Sequence, residues 1–116
     1  MPNLLTALDQ DWAAFSSSPA GDAALRRWRL QIGPFHEDLP SLLRALRSRV
    51  NPDARDRLFR DVMYLAATDP DARRVVLQAL IPGLIGVVRM YGPRWGHDEA
   101  ESMVVAAALD RIANYP

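Results

Sequence analysis

The chain has 116 residues, of which 49% are hydrophobic and 24% are charged, a balance typical of one folded domain and not of a disordered segment. Fourteen basic residues face fourteen acidic ones, and the zero formal charge argues against a protein that coats nucleic acid or an anionic membrane with its whole surface. The absence of cysteine excludes disulfides, thiolate metal sites and cysteine nucleophiles.

The first two predicted helices carry apolar stripes at the spacing of three to four residues that a helix requires. Asn3 is placed to cap the first helix, and the segment 16–21, rich in Ser, Pro and Gly, is expected to end it. Asp22 can cap the second helix, which Gly33 and Pro34 should terminate. The two stripes consist of Leu4, Leu8, Trp12 and Phe15, and of Leu25, Trp28 and Ile32.

The next three predicted helices each begin with a capping side chain and a Pro in the first turn. Asp38, Asn51 and Asp69 each offer an oxygen to a free backbone N–H, and the Pro that follows loses no hydrogen bond that the helix needs. The helix over 69–91 should be central, because it is apolar on more than one face, and Pro82 should kink it. The expected buried stripes are Leu39, Leu42, Leu43, Leu46 and Val50, then Leu58, Val62, Leu65 and Ala66, then Val75, Val76, Leu80, Leu84, Val87 and Val88.

The last helix is predicted to begin at Asp98-Glu-Ala-Glu101, a capping box in which each end satisfies the backbone of the other. The preceding segment 91–97 contains Gly and Pro and is predicted to be a loop, with Trp95 either anchoring an interface or covering helix ends. No alternating strand pattern occurs. We therefore expect an all-α fold, a single domain forming one compact bundle of five or six helices, with N-terminal helices in 1–50 and a helical pair in 69–116. The expected apolar face of the last helix is Met103, Val104, Ala107, Ala108, Ile112 and Tyr115.

Residues suited to catalysis or to metal binding are scarce. His36 and His97 are far apart and belong to no metal-binding spacing, and neither a nucleophile elbow nor a phosphate-binding loop occurs. Gly83 and Gly86 lie inside an apolar helix, where they indicate close helix packing. We expect a protein that is not an enzyme and that has no cofactor and no metal.

Two further absences bear on location. No hydrophobic run approaches the roughly 20 residues that span a bilayer. The N-terminal residues contain no basic stretch leading into a signal-peptide core. We therefore expect a cytoplasmic protein that does not contact a membrane.

Charge is unevenly distributed along the chain, and every basic residue is arginine. The segment 41–60 contains six arginines and two aspartates, whereas the last helix is acidic. One interpretation is a basic patch for phosphate, with Arg44, Arg47 and Arg55 as nucleic-acid-binding candidates, opposite an acidic patch for a basic partner. The alternative is that both segments are ordinary solvated helix faces.

Three sequence segments in the C-terminal part resemble those of a known family. They are Ala79-Leu-Ile-Pro-Gly-Leu-Ile-Gly-Val-Val-Arg-Met-Tyr91, Asp98-Glu-Ala-Glu101 and Ala106-Ala-Ala-Leu-Asp-Arg-Ile-Ala-Asn-Tyr-Pro116. Over 69–116 the chain resembles the opening helices of sigma-factor region two, as found in actinobacterial sigma-like proteins. The resemblance implies docking on RNA polymerase through the clamp helices of its largest subunit, together with promoter recognition. The residues that match the family's pattern are Asp98, Glu101, Ile112 and Tyr115, and the resemblance implies structural roles for the last two.

The chain departs from the family pattern at two points. The family's polar Gln-Glu pair is replaced by the apolar segment 104–107, and the aromatic, basic helix that melts promoter DNA does not occur before Pro116. DNA contact by that route would need a further region. The leading prediction is a non-enzymatic, transcription-related protein that docks on RNA polymerase, and the alternatives are a helical interaction or dimerisation module and direct DNA binding through the segment Arg44–Arg60. The predicted partner-binding residues are Asp98, Glu101, Asp110 and Arg111.

Overall fold

Six α-helices and no strand form the regular structure of residues 4–32 and 36–114, the parts of the chain that the computed structural model describes. This confirms the all-α prediction of five or six helices. The predictions for Asn3, Gly33, Pro34 and Tyr115 lie outside the described residues. The helices are α1 (Leu4–Ser16), α2 (Pro19–Trp28), α3 (Leu39–Leu46), α4 (Pro52–Ala66), α5 (Pro70–Trp95) and α6 (His97–Ala113).

Three of the predicted helix caps are present. The side-chain Oδ1 atoms of Asp38, Asn51 and Asp69 each accept a hydrogen bond from a backbone N–H in the first turn, at 2.8, 3.1 and 2.9 Å. Each capping residue precedes a helix with Pro at its first or second position. These starts are local features in which a cap and its donor are two or three residues apart, so the sequence alone specifies them.

Other boundaries differ from the sequence prediction. Helix α2 begins at Pro19, because the hydroxyl of Ser18, rather than Asp22, accepts the first free N–H, from Gly21 at 3.1 Å. Helix α3 ends at Leu46, and the residue expected to extend its stripe, Val50, is 95% exposed. Five residues assigned to apolar stripes are exposed: Leu4, Val50, Val87, Met103 and Ala107.

A single residue separates α5 from α6, so the loop predicted over 91–97 is wrong. Helix α5 continues to Trp95, whose ring stacks on that of Tyr91 with centroids 4.8 Å apart. Gly96 then ends α5 at φ +87°, in the left-handed region that glycine adopts without strain. Helix α6 starts at once, and no side chain caps it.

The first half of α5 is the centre of the fold, as predicted. Its side chains from 75 to 78 are all buried, around the whole circumference of the helix. Trp12 and Trp28 pack in the same main core, which also confirms their assignment. A second, smaller cluster joins the start of α1 to the second half of α5 and to α6. It consists of Leu5, Ile81, Val88, Ala100 and Val105.

The second half of α5 is more exposed than its apolar sequence predicts. A Cβ atom added at Gly83 or at Gly86 would meet nothing within 4 Å, so the close helix packing predicted there is absent within the described residues. By length and composition α5 could cross a membrane, which corrects the expectation that no segment approaches that length. The central helix of a folded domain meets the same criterion, so length and composition alone do not distinguish the two.

A partly exposed polar cluster fixes the start of α5 against α2. Trp28 Nε1 donates to Asp69 Oδ2 at 2.8 Å, and the Arg27 guanidinium donates to the same atom at 3.2 Å and to Asp71 Oδ2 at 3.1 Å. Burial acts to raise the pKa of Asp69, but the hydrogen bonds from Trp28, from Arg27 and from the Asp71 backbone outweigh it and hold the pKa below its ordinary value. The capping carboxylate is therefore stabilised in its charged form.

Pro82 leaves a gap in the hydrogen bonding of α5 that a side chain fills. Because proline has no N–H, the carbonyl of Gln78 lacks its usual donor four residues later. The guanidinium of Arg47, which follows α3, donates to this carbonyl. The side chain of Gln78 donates in turn to Asp9 Oδ1 of α1 at 2.7 Å. The turn before Pro82 thus ties both α3 and α1 to the central helix.

We expect the Arg47→Ala variant to lose about 1–3 kcal/mol of unfolding free energy, because the partly buried Gln78 carbonyl loses its side-chain donor. In a Pro82→Ala background the new backbone N–H can bond the same carbonyl, so the same replacement should cost less. Urea unfolding followed by far-ultraviolet circular dichroism measures all four proteins of this double-mutant cycle. Equal losses in the two backgrounds would show that the Arg47 side chain does not fill the gap.

Candidate docking cleft

A cleft of about 430 Å³ lies between α4, α5 and α6. Its floor is apolar: Met63 and Ile112 are buried, and Phe59, Leu80 and Ala108 are half-buried against the main core. Its rim is charged and exposed. The volume is within the range of protein ligand pockets. The lining residues are Asp56, Phe59, Arg60, Met63, Leu80, Ala108, Arg111 and Ile112.

Helical spacing explains how the cleft forms. On α4, Phe59 and Met63 are four residues apart and therefore point to the same side. On α6, Ala108 and Ile112 have the same spacing and face them across Leu80 of α5. Ala108 is the smallest side chain of the lining, so it contributes least to filling the space between the two walls.

The rim of the cleft carries unbalanced positive charge. The one acidic residue that the described part of the chain contributes to the rim, Asp56, is paired with Arg55, with Oδ1 3.2 Å from Nη2 and 3.3 Å from Nε. Arg60 on α4 and Arg111 on α6 have no hydrogen-bond or ion-pair partner among the described residues. Two guanidinium groups, neither of them paired within the described ranges, thus flank an apolar floor, one on each wall.

An exposed aromatic residue extends this surface. Tyr64 is 83% exposed and lies one helical turn after Arg60 and two turns after Arg57, on the same exposed stripe of α4. Tyrosine and arginine are enriched among the residues that dominate protein interfaces. Tyr64 is not among the residues predicted from the sequence, although its spacing from the two arginines is a signal that could identify it.

The nucleic-acid-binding candidates are partly engaged inside the fold. Arg55 donates to the carbonyl of Ser48 at 3.3 Å as well as pairing with Asp56, and Arg47 donates to the Gln78 carbonyl. Arg44 is exposed, and its guanidinium donates to a hydroxyl one turn earlier on α3. Two of the three candidates therefore have structural partners on the backbone.

The partner-binding candidates on α6 do not form one patch. Asp98 and Asp110 are exposed, but a rise of 1.5 Å per residue separates them by about 18 Å along the helix. Asp110 Oδ1 accepts from Asn114 Nδ2 at 3.0 Å. Arg111 belongs to the cleft. Glu101 is 1% exposed, so the fold encloses it, and it is not part of the outer surface that was expected to meet a partner.

Glu101 instead caps a different helix. Its Oε1 accepts from the backbone N–H of Leu5 at 2.9 Å, one of the first-turn groups of α1 that have no partner within their own helix. Its Oε2 lies 3.2 Å from His97 Nε2, close enough for an ion pair but without a well-directed hydrogen bond. The predicted capping box of Asp98 and Glu101 is therefore wrong, because this carboxylate stabilises the start of α1 and not that of α6.

Neither histidine belongs to a metal-binding group within the described residues. No group of three or more His, Asp or Glu residues suited to a metal ion occurs in the described ranges. His36, in the segment that connects α2 to α3, is half-buried, and burial lowers its pKa. His97 lines a smaller cavity of about 230 Å³ beside Glu101 and Asp9.

Comparison with known proteins identifies no relative of this chain, since no family model, no curated protein sequence and no solved structure gives a significant match.

We expect Glu101→Ala to lower the unfolding free energy by about 1.5–3 kcal/mol, because a buried N–H loses a charged acceptor. Glu101→Gln should cost less, since its amide oxygen can still accept from Leu5. Asp98→Ala is the matched control at an exposed position of the same turn, and we expect a change of at most about 0.5 kcal/mol. Urea unfolding gives the three values, and hydrogen exchange of α1 locates the effect. A larger loss of unfolding free energy for Asp98→Ala would show that Asp98 does cap α6, as the capping box predicts.

Proposed function

We propose that this protein is a non-enzymatic helical docking module that binds a protein partner in the cleft between α4, α5 and α6. One observation carries the proposal: an apolar floor lies between two arginines that have no partner among the described residues. Covering an apolar recess releases water at a gain in free energy, and charged groups at its rim orient the partner. This combination is typical of the centre and the rim of a protein interface.

The cleft supports a protein partner over a nucleic acid. A nucleic acid offers phosphates, which suit Arg60 and Arg111 but leave the apolar floor of Phe59, Met63 and Leu80 uncovered. A protein segment supplies apolar side chains for the floor and polar groups for the rim. Arg60 and Tyr64, on one stripe, are residue types that anchor such contacts.

A substitution that fills the cleft tests this proposal. We expect Ala108→Trp to abolish binding of cleft-specific peptides, because the indole occupies the space between the walls. Ala106→Trp, exposed on the outer face of α6, is the matched control and should bind like the wild type. The peptides come from a displayed helical library selected on the wild-type protein, and circular dichroism verifies that both variants are folded. If no selected peptide distinguishes Ala108→Trp from Ala106→Trp, the cleft is not a docking site.

A second candidate function is docking on RNA polymerase by a sigma-like domain. The resemblance of 69–116 to sigma-factor region two supports it, as does the exposure of Asp98 and Asp110 on α6. The departures of the sequence and the burial of Glu101 weaken it.

Retention of the protein by purified core RNA polymerase tests this second candidate. If the acids of α6 meet a basic coiled coil, Asp110→Arg should weaken retention at low salt, mainly through a slower association rate, while leaving folding intact. If Ala108→Trp abolishes retention and Asp110→Arg does not, RNA polymerase binds in the cleft and not on the acids of α6. Absence of retention by the wild-type protein would reject the candidate, and self-association on a sizing column would then indicate a homodimerisation module.

A further inference from the structure

We infer that the occupant of the cleft is an acidic amphipathic helix of a partner protein, which inserts apolar side chains between α4 and α6 and places carboxylates on Arg60 and Arg111. This inference rests on the docking function proposed above, and it adds the chemistry of the partner.

Charge complementarity specifies the acidic character. The carboxylate of Asp56 is already paired with Arg55, so every charge of the cleft lining that has no partner among the described residues is positive. These charges are two guanidinium groups on opposite walls, Arg60 on α4 and Arg111 on α6. A planar guanidinium binds a carboxylate through two parallel hydrogen bonds, which gives direction as well as charge. A basic segment would meet repulsion from both walls.

The architecture of the walls specifies a helix. A partner strand binds by adding hydrogen bonds to the edge of a sheet, and α4, α5 and α6 offer no such edge, because the backbone groups within a helix are bonded internally. A polyproline segment needs a groove lined by aromatic rings, whereas Phe59 is the only aromatic residue of this lining in the described ranges. A helix presents apolar side chains three or four residues apart, the spacing at which Phe59 and Met63, and Ala108 and Ile112, form the two walls.

Tyr64 gives the occupant a flanking contact. It continues the α4 stripe one turn beyond Arg60 and is 83% exposed, so its ring is free to cover the side of a helix seated in the cleft. The apolar ring would shield the carboxylate–guanidinium pairs from water, and its hydroxyl would remain available to a polar group of the partner. Shielding strengthens charge pairs that would be weak in full contact with solvent.

Two synthetic helical peptides test the inference. Both carry Leu at positions i, i+4 and i+7 and a side-chain staple on the opposite face, and the residues flanking the Leu stripe are Glu in one peptide and Lys in the other. Fluorescence anisotropy should show that the Glu peptide binds the wild-type protein at least about ten-fold more tightly at low salt, and that the difference shrinks as salt screens the charges. In the Arg60→Glu/Arg111→Glu protein the preference should reverse, and Ala108→Trp should bind neither peptide.

Each outcome separates this inference from the function on which it rests. Equal binding of the two peptides, with loss of both in Ala108→Trp, would overturn the acidic partner and keep the cleft as a docking site. Equal binding of the Glu peptide to wild type and Ala108→Trp would overturn the cleft as its site. Binding of neither peptide overturns the acidic helix, and failure to select any cleft-dependent library peptide would overturn the docking function as well. If the double variant does not fold, Arg60→Glu and Arg111→Glu are measured singly, and each should reduce the preference for the Glu peptide.

Discussion

The burial of the first half of α5 is the constraint on which the rest of the structure depends. This helix contacts each of the other five, and the side chains from 75 to 78 are enclosed on all sides. Apolar contacts of this kind have no direction, so polar contacts specify where the helix lies along its neighbours. Asp69 fixes its start against Trp28, and Gln78 fixes its middle against α1 and α3. The floor of the cleft at Leu80 follows within one turn of that second contact.

Arginine side chains satisfy backbone carbonyls at several helix ends and gaps. Arg73 donates to the carbonyls of Ala66 and Ala67, at 2.7 and 2.9 Å, where α4 ends. Arg55 reaches the segment after α3, and Arg47 fills the gap made by Pro82. The last carbonyls of a helix have no hydrogen-bond donor within that helix. The long side chain of arginine can supply the missing donor from a guanidinium that has five N–H groups. An arginine count along the sequence therefore overstates the charge that is free for a partner.

The sequence specifies local features of this fold and leaves the cleft undetermined. Helix caps and apolar stripes connect residues within a few positions, so Asp38, Asn51 and Asp69 could be assigned correctly. The contact between Glu101 and Leu5 spans 96 positions and depends on how α1 and α6 meet. An acid three residues after Asp98 matches a local capping pattern, so the sequence favours the local partner over the distant one. The cleft likewise exists only where α4 and α6 approach each other, and nothing in either helix alone indicates its width.

The segment 91–97 shows how a local signal can mislead. Gly and Pro in succession favour a loop, yet Pro93 lies inside the last turns of α5. The carbonyl that loses its donor belongs to Arg89, which is exposed, so water can take the place of the missing N–H. At Pro82 the corresponding carbonyl lies against α3, and a side chain has to serve it. Solvent contact, which is a tertiary property, thus decides how much a proline disturbs a helix.

The bond between Leu5 and Glu101 also sets an order of events during synthesis on the ribosome. At about 5–20 residues per second, the acceptor for the first turn of α1 is made about 5 to 20 seconds after its donor. Until then Leu5 cannot complete the small cluster that it shares with Val88, Ala100 and Val105. The C-terminal half of α1 can pack earlier, because Trp12 and Phe15 belong to the main core that it shares with α2 to α5. The first turn of the earliest helix to be translated is thus among the last parts of the fold to be fixed in place, and Leu5 is open to chaperones in the interval.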